Sequence, residues 1–136
     1  MAVTQRRVSM GDVDQVLAFY GRYAYWMDDG LSELLHVLGH PLGSLLKGGH
    51  GLPLVSHSSR YELPVGLDDV IRLETAVVAA RRTSFDIGYV MTVDGRRVAQ
   101  CRTTHVWVGG APEYHAEPVP DWIRNATAVL QGYEAP

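Results

Sequence analysis

Very little in this sequence points outward to metal, membrane or nucleic acid. It has one cysteine, Cys101, so no internal disulfide can form, and a reducing, cytoplasmic setting is the expectation. No apolar run approaches the roughly 20 residues that cross a bilayer. Residues 1 to 9 carry Arg6 and Arg7 without an apolar stretch after them, which predicts no signal peptide. A basic excess is missing too: the formal net charge is −3, against general nucleic-acid binding, so any anion site must be a local basic patch. The six histidines are scattered and form no compact ligand set with the single cysteine, so no metal site is expected. His36 and His40 stand four apart, but Pro41 follows at once and they read as helix-end residues. Neither a Gly-x-Ser-x-Gly elbow nor a phosphate-cradling P-loop occurs, and Gly48-Gly49-His50-Gly51 lacks the strand-before, helix-after context for one.

What is present is an ordinary globular composition, 46% hydrophobic and 20% charged, in a chain of 136 residues. That is the size of one domain, spanning 1–136. Val3 to Ser9 could form an edge strand. From Phe19 to about Leu38, apolar residues recur at three- and four-residue spacing, with Tyr23, Trp26, Met27, Leu31, Leu34, Leu35 and Leu38 on one face. Gly39 and Pro41 end this helix. Leu45 and Leu46 suggest a short turn. Four strands follow, over Leu54 to Leu63, Val70 to Ala79, Ser84 to Val93 and Arg97 to Val108, with Asp94-Gly95 as a hairpin turn. Pro118 to Leu130 reads as a terminal helix. One helix and about five antiparallel strands make an α+β layer architecture. The helix covers one face of the sheet. The other stays rich in Val, Ile, Leu and Tyr, so a homo-oligomer is expected.

Two segments could carry chemistry. Gly11-Asp12-Val13-Asp14 precedes the only long helix. A carboxylate there can cap free amides. It can also face a substrate carbonyl held against the helix N-terminus, as nucleophile or general base. Arg81-Arg82-Thr83-Ser84 lies between two strands. It is either a solvated turn or a phosphate-binding pair with nearby hydroxyls.

Taken in order, these pieces resemble a known family. Gly11-Asp12-Val13-Asp14 is followed by Tyr20, Tyr23, Trp26 and Asp28 along the helix. Then come Pro53-Leu54-Val55-Ser56, Asp68-Asp69-Val70, Leu73-Glu74-Thr75, Arg81-Arg82-x-Ser84-Phe85, Thr103-Thr104-His105-Val106 and Val119-Pro120. Over nearly its whole length the chain is similar to the hotdog-fold thioesterases, of the 4-hydroxybenzoyl-CoA thioesterase type. The resemblance implies a five-stranded antiparallel sheet wrapped around one central helix. It also implies dimers that join sheets and often pair into tetramers, with an active site at the subunit interface. The implied activity is hydrolysis of an acyl- or aroyl-coenzyme A, or of an acyl-carrier-protein thioester, with no cofactor. Asp14 becomes the catalytic carboxylate, and the Tyr20 N–H binds the thioester oxygen. Asp28 is placed at the ring hydroxyl, with Trp26 and Ser56 also at the substrate. Arg81, Arg82 and Ser84 are placed at the coenzyme A phosphates. The chain departs from the family pattern after Asp14. The run Gln15-Val16-Leu17-Ala18 lacks the usual glycine and is one residue shorter to Tyr20, and Gly21 stands where some relatives carry a histidine. Hydration of a coenzyme A ester, binding without turnover, and a purely structural dimer module are the alternatives.

Overall fold

In the computed structural model, which describes residues 1–14 and 16–136, the Asp94-Gly95 turn sits at the centre of the architecture. Asp94 (φ 51°) and Gly95 (φ 78°) both adopt the left-handed region that a two-residue hairpin turn requires. They join β6 (Ser84–Val93) to β7 (Arg96–Val106), and β5 (Val70–Ala80) lies on the other side of β6. The edges of this meander come from far away in the chain. β1 (Ala2–Arg7) pairs with β5, and β4 (Leu54–Tyr61) pairs with β7. The result is one antiparallel five-stranded sheet in the order β1-β5-β6-β7-β4.

Across one face lies α1 (Arg22–Val37), three residues shorter at its start than the periodicity suggested. It buries Tyr23, Trp26, Met27, Leu31, Leu34 and Leu35 against Ile71, Leu73, Phe85, Ile87, Tyr89 and Met91. Gly30 sets the approach. A Cβ there would meet Thr75 Oγ1 at 2.5 Å and Leu73 Cδ2 at 2.8 Å, so glycine lets the helix lie directly on β5.

Three segments differ from expectation. Leu45 and Leu46 belong to a short helix, α2 (Leu42–Lys47), entered after Pro41, whose fixed φ suits a helix start. Within Gly11–Tyr20, a two-residue ladder joins β2 (Val13–Asp14) to β3 (Leu17–Ala18). The expected terminal helix is reduced to α3 (Asp121–Arg124), preceded by a small hairpin of β8 (Val108–Gly109) and β9 (His115–Ala116). Beyond α3 the chain is drawn onto the outer sheet face instead. The Ala128 N–H donates to the Val77 carbonyl at 2.9 Å, and Leu130 and Tyr133 pack with Ala76, Val78 and Val90. Part of the face expected to need a partner is thus covered by the chain's own C-terminal segment. No helix among the described residues is long and apolar enough to cross a membrane.

Candidate active site

The two aspartates before α1 part company. Asp12 is 0% exposed. Its carboxylate accepts from the Ser9 N–H (2.9 Å), Ser9 Oγ (3.1 Å) and Arg22 Nε (3.0 Å), while its carbonyl accepts from the Phe19 N–H at 2.9 Å. Burial pushes the Asp12 carboxyl up, but the Ser9 amide and the Arg22 guanidinium outweigh it and hold it below the usual carboxylate range. Asp12 therefore stitches the end of β1 to the start of α1. A second tether is the Ala18 N–H to the Val65 carbonyl at 2.7 Å. The Val65 turn is itself held by Asp69, which accepts from the Gly66 N–H at 2.9 Å.

Asp14 is different. It is exposed, sits opposite Leu17 in the β2–β3 pair, and its carboxylate has no hydrogen-bond partner among the described residues. Gln15, next to it in the shortened run, lies outside the described residues. Neither aspartate caps α1. The helix starts after Gly21 with no side-chain cap, and among the described residues the Tyr20 N–H has no acceptor. The Arg22 and Tyr23 N–H groups donate to the Phe19 and Tyr20 carbonyls, at 2.9 and 3.2 Å, so the Tyr20 amide is the open donor there, with the positive end of the helix dipole behind it. A Cβ at Gly21 would lie 2.6 Å from Phe19 Cε1, the far end of an exposed ring that can turn aside. The rings of Phe19 and Tyr20 are both exposed, with centroids 4.8 Å apart.

Two turns along α1, Asp28 borders a cavity of about 650 Å³ between α1, α2 and the start of β4. Leu31, Leu35, Leu42 and Leu46 make it largely apolar, and Tyr114 of the β8–β9 hairpin lies across it. Its polar side chains are Asp28, Ser32, His105 and the Tyr114 phenol. Burial, reinforced by neighbouring Asp29, pushes the Asp28 carboxyl up. His105, given no role at the site by the sequence beyond its place in the Thr103-Thr104-His105-Val106 run, is fully committed. Its Nδ1 lies 2.9 Å from the Leu52 carbonyl, which can only accept, so Nδ1 carries the proton. Burial pushes the ring's pKa down, leaving it neutral, and Nε2 accepts from Thr103 Oγ1 at 2.9 Å. Thr103 Oγ1 lies 3.2 Å from Tyr89 Oη, which completes the chain. With both nitrogens engaged, His105 pins the cavity wall at Leu52 and has no free lone pair for substrate.

The remaining expected residues divide. Ser56 is exposed on the edge strand β4, opposite Thr104. Trp26 is core: it is 3% exposed, packs edge-on against Tyr23 at 5.0 Å, and does not line the Asp28 cavity. The helical stripe that buries Tyr23 and Leu34 carries Trp26 with it, away from the Asp28 cavity where a substrate contact was expected. It borders instead a polar groove beside β1, with Arg6, Asp29, Glu33 and His36. Arg81 is likewise not an open phosphate ligand. Its guanidinium grips Asp86 through two bonds, of 2.6 and 3.1 Å, and its Nε donates to Ser84 Oγ at 2.8 Å. Of that trio only Arg82 is exposed without an ionic partner among the described residues. No cluster of three potential metal ligands occurs among the described residues.

The profile of the thioesterase-like superfamily matches residues 8–127, which takes in Asp14, the open helix end and the cavity. The chain belongs to this superfamily. As a member it is a thioester hydrolase by class. Among solved structures it is similar to a gentisyl-coenzyme A thioesterase, at 27% identity and TM-score 0.82, with 90% of this chain and 99% of that one covered. The 4-hydroxybenzoyl-CoA thioesterase of Pseudomonas sp. strain CBS-3 is 24% identical, with TM-score 0.80 over 90% of this chain and 96% of that one. A 1,4-dihydroxy-2-naphthoyl-CoA thioesterase from Synechocystis is 20% identical, with TM-score 0.80 over 91% and 93%. The last two likenesses establish the shared hotdog fold. Among curated proteins none matches this sequence.

Proposed function

We propose that this thioesterase hydrolyses an aroyl- or acyl-coenzyme A ester, with Asp14 as the carboxylate that attacks the carbonyl or activates water. The observation that carries the reading is the contrast between the two aspartates: Asp12 is saturated and buried, Asp14 is exposed and unpartnered beside an uncapped helix end. The Tyr20 N–H and the helix dipole stabilise the oxyanion as it forms. Thiolate leaves readily, so one carboxylate and fixed dipoles suffice without a general acid. The acyl group takes the Asp28 cavity. Asp28 lies six residues beyond the first helical residue, Arg22, roughly 9 Å of helix rise, and its side chain leans back toward the N-terminus. The gap left accommodates about one aromatic ring, with a ring hydroxyl meeting the carboxyl of Asp28. That arrangement fits the hydroxylated aroyl groups named for the gentisyl and hydroxybenzoyl relatives.

The test is thiol release from benzoyl-, hydroxybenzoyl-, phenylacetyl- and medium-chain acyl-coenzyme A, wild type beside Asp14→Asn. The variant should lose activity by about 10²–10⁴-fold while melting like wild type. Turnover that survives in Asp14→Asn would remove that residue from the mechanism. A carrier-protein substrate is the second reading, favoured by the commitment of Arg81 to Asp86, since a carrier-bound pantetheine arm brings no nucleotide phosphates to that loop. Equal kcat/KM on coenzyme A and simple pantetheine esters would support it.

A further inference from the structure

A single hydroxylated ring uses only the near end of the Asp28 cavity. Such a ring, with its carbonyl at the Tyr20 N–H, reaches Asp28 and ends there, but the cavity continues. Its α1 wall is made by Asp28, Leu31, Ser32 and Leu35, which share one helical face. From Asp28 to Leu35 it therefore follows the helix for about two turns, roughly 10 Å of rise. The volume is about 650 Å³, whereas an apolar cavity of roughly 150 Å³ is enough to take up benzene.

The chemistry changes along this length. His105 sits on the Asp28 side, where each of the two groups feels the other's charge. Beyond Ser32 the α1 wall is hydrocarbon. Leu35 lies buried at its far end, and Leu42 and Leu46 of α2 stand exposed along the same cavity. Exposed apolar side chains gathered around a groove mark a binding surface. What covers them follows from continuity, since the groove starts at the carboxyl where the acyl group was placed. The wall is also preformed. α2 is fixed at both ends by stacked rings, His40 on Trp122 at 4.0 Å and His50 on Trp107 at 5.0 Å. Gly51 and Val108 exchange two backbone bonds of 3.0 Å, which hold the hairpin that carries Tyr114 across the cavity. A space built this way needs little ordering when an apolar group enters it.

Resting on the placement of the acyl group at Asp28, we propose that this group is an extended one. Its hydroxyl meets Asp28, an apolar segment continues past it over Leu31 and Leu35, and Leu42 and Leu46 set its length. The experiment uses thioethers of coenzyme A and of pantetheine carrying benzyl, 4-ethylbenzyl, 4-butylbenzyl and 4-hexylbenzyl groups. A thioether has no carbonyl to hydrolyse, so affinity is read by calorimetry whether or not the enzyme turns over. In wild type, affinity should rise on the order of threefold per added methylene until the groove is filled, and at least about tenfold from benzyl to 4-hexylbenzyl. Leu46→Trp, which fills the far end, should bring that ratio close to one. Leu42→Trp repeats the test should Leu46→Trp melt early, and Val37→Ser, on α1 outside the cavity, should keep the wild-type ratio. Rising affinity without turnover of the matching esters supports the extended acyl group and removes the hydrolysis reading instead. Turnover of benzoyl-coenzyme A with affinity flat along the series, or rising equally in Leu46→Trp and Leu42→Trp, overturns the inference and leaves hydrolysis standing. Flat affinity in wild type, with an oligomer that Leu46→Trp dissociates in sedimentation, gives the groove to a second copy and overturns it as well. So does the failure of every thioether to bind.

Discussion

Asp12 and Asp14 differ by two positions and by almost everything else that matters to a carboxylate. Asp12 is held by three good donors inside the protein, so its removal should be felt in stability. Asp12→Asn keeps the shape but leaves Arg22 partly uncompensated, and a loss of about 2–4 kcal/mol is expected in denaturant unfolding. The pH dependence follows from the directions of the pKa shifts. The folded pKa values of Asp12 and Asp86 lie below their unfolded values, so their stabilisation is complete above the unfolded carboxylate range, near 4, and is lost as pH falls through the folded values. His105 is also depressed, but from a higher reference. The unfolded chain binds its proton first, so its share is complete above about 6.5 and begins to fall below that. Unfolding free energy measured from pH 8 to 3 should thus decline in two stages, and His105→Phe should flatten the upper one. A single stage unaffected by that substitution would mean the His105 ring is not held neutral.

Among the elements, α1 depends on close approach. Gly30→Ala gains about 1 kcal/mol of helix propensity, but the new methyl points into Thr75 and Leu73. A net loss of about 1–3 kcal/mol is expected, because the Thr75 and Leu73 side chains are both buried and have little room to turn aside. An unchanged melting temperature would show that the helix rides outward freely. This scale also shows why some elements are legible in the sequence and others are not. Ser84–Val93 matches its strand end to end, since alternation and the Asp94-Gly95 turn are local signals. The helix expected over 118–130 fails because Leu130 and the Ala128 N–H find the sheet, a tertiary pull that no local pattern contains. The same divide runs through the site. That Asp14 precedes the helix and Asp28 lies on it is readable from the sequence, whereas the bond from His105 to Leu52 and the grip of Arg81 on Asp86 depend on register.

For the molecule as a whole, β4 is the exposed question. It is an edge strand with Leu54, Val55 and Tyr61 all substantially exposed, next in kind to the exposed Phe19, Tyr20 and Tyr25 near the helix start. Free apolar edges invite another strand. A second copy pairing along β4 would cover these residues and bring two candidate sites together. Val55→Lys should then shift the protein from dimer to monomer in sedimentation, with activity falling in parallel. A wild type that sediments as a monomer at working concentration removes the edge pairing.

The sheet order has a kinetic side. The central strands β5, β6 and β7 are consecutive and joined by short turns, while Arg7 must find Val70 and Leu54 must find His105. Closing such distant pairings carries a loop-entropy cost before any contact rewards it. The meander is therefore the natural nucleus, with β1 and β4 zipping onto its flanks late. The Asp14 loop hangs from the end of β1, so the carboxylate proposed for catalysis is among the last parts to find its place as the chain folds. A population caught short of that last step would carry a nearly complete sheet and no working site.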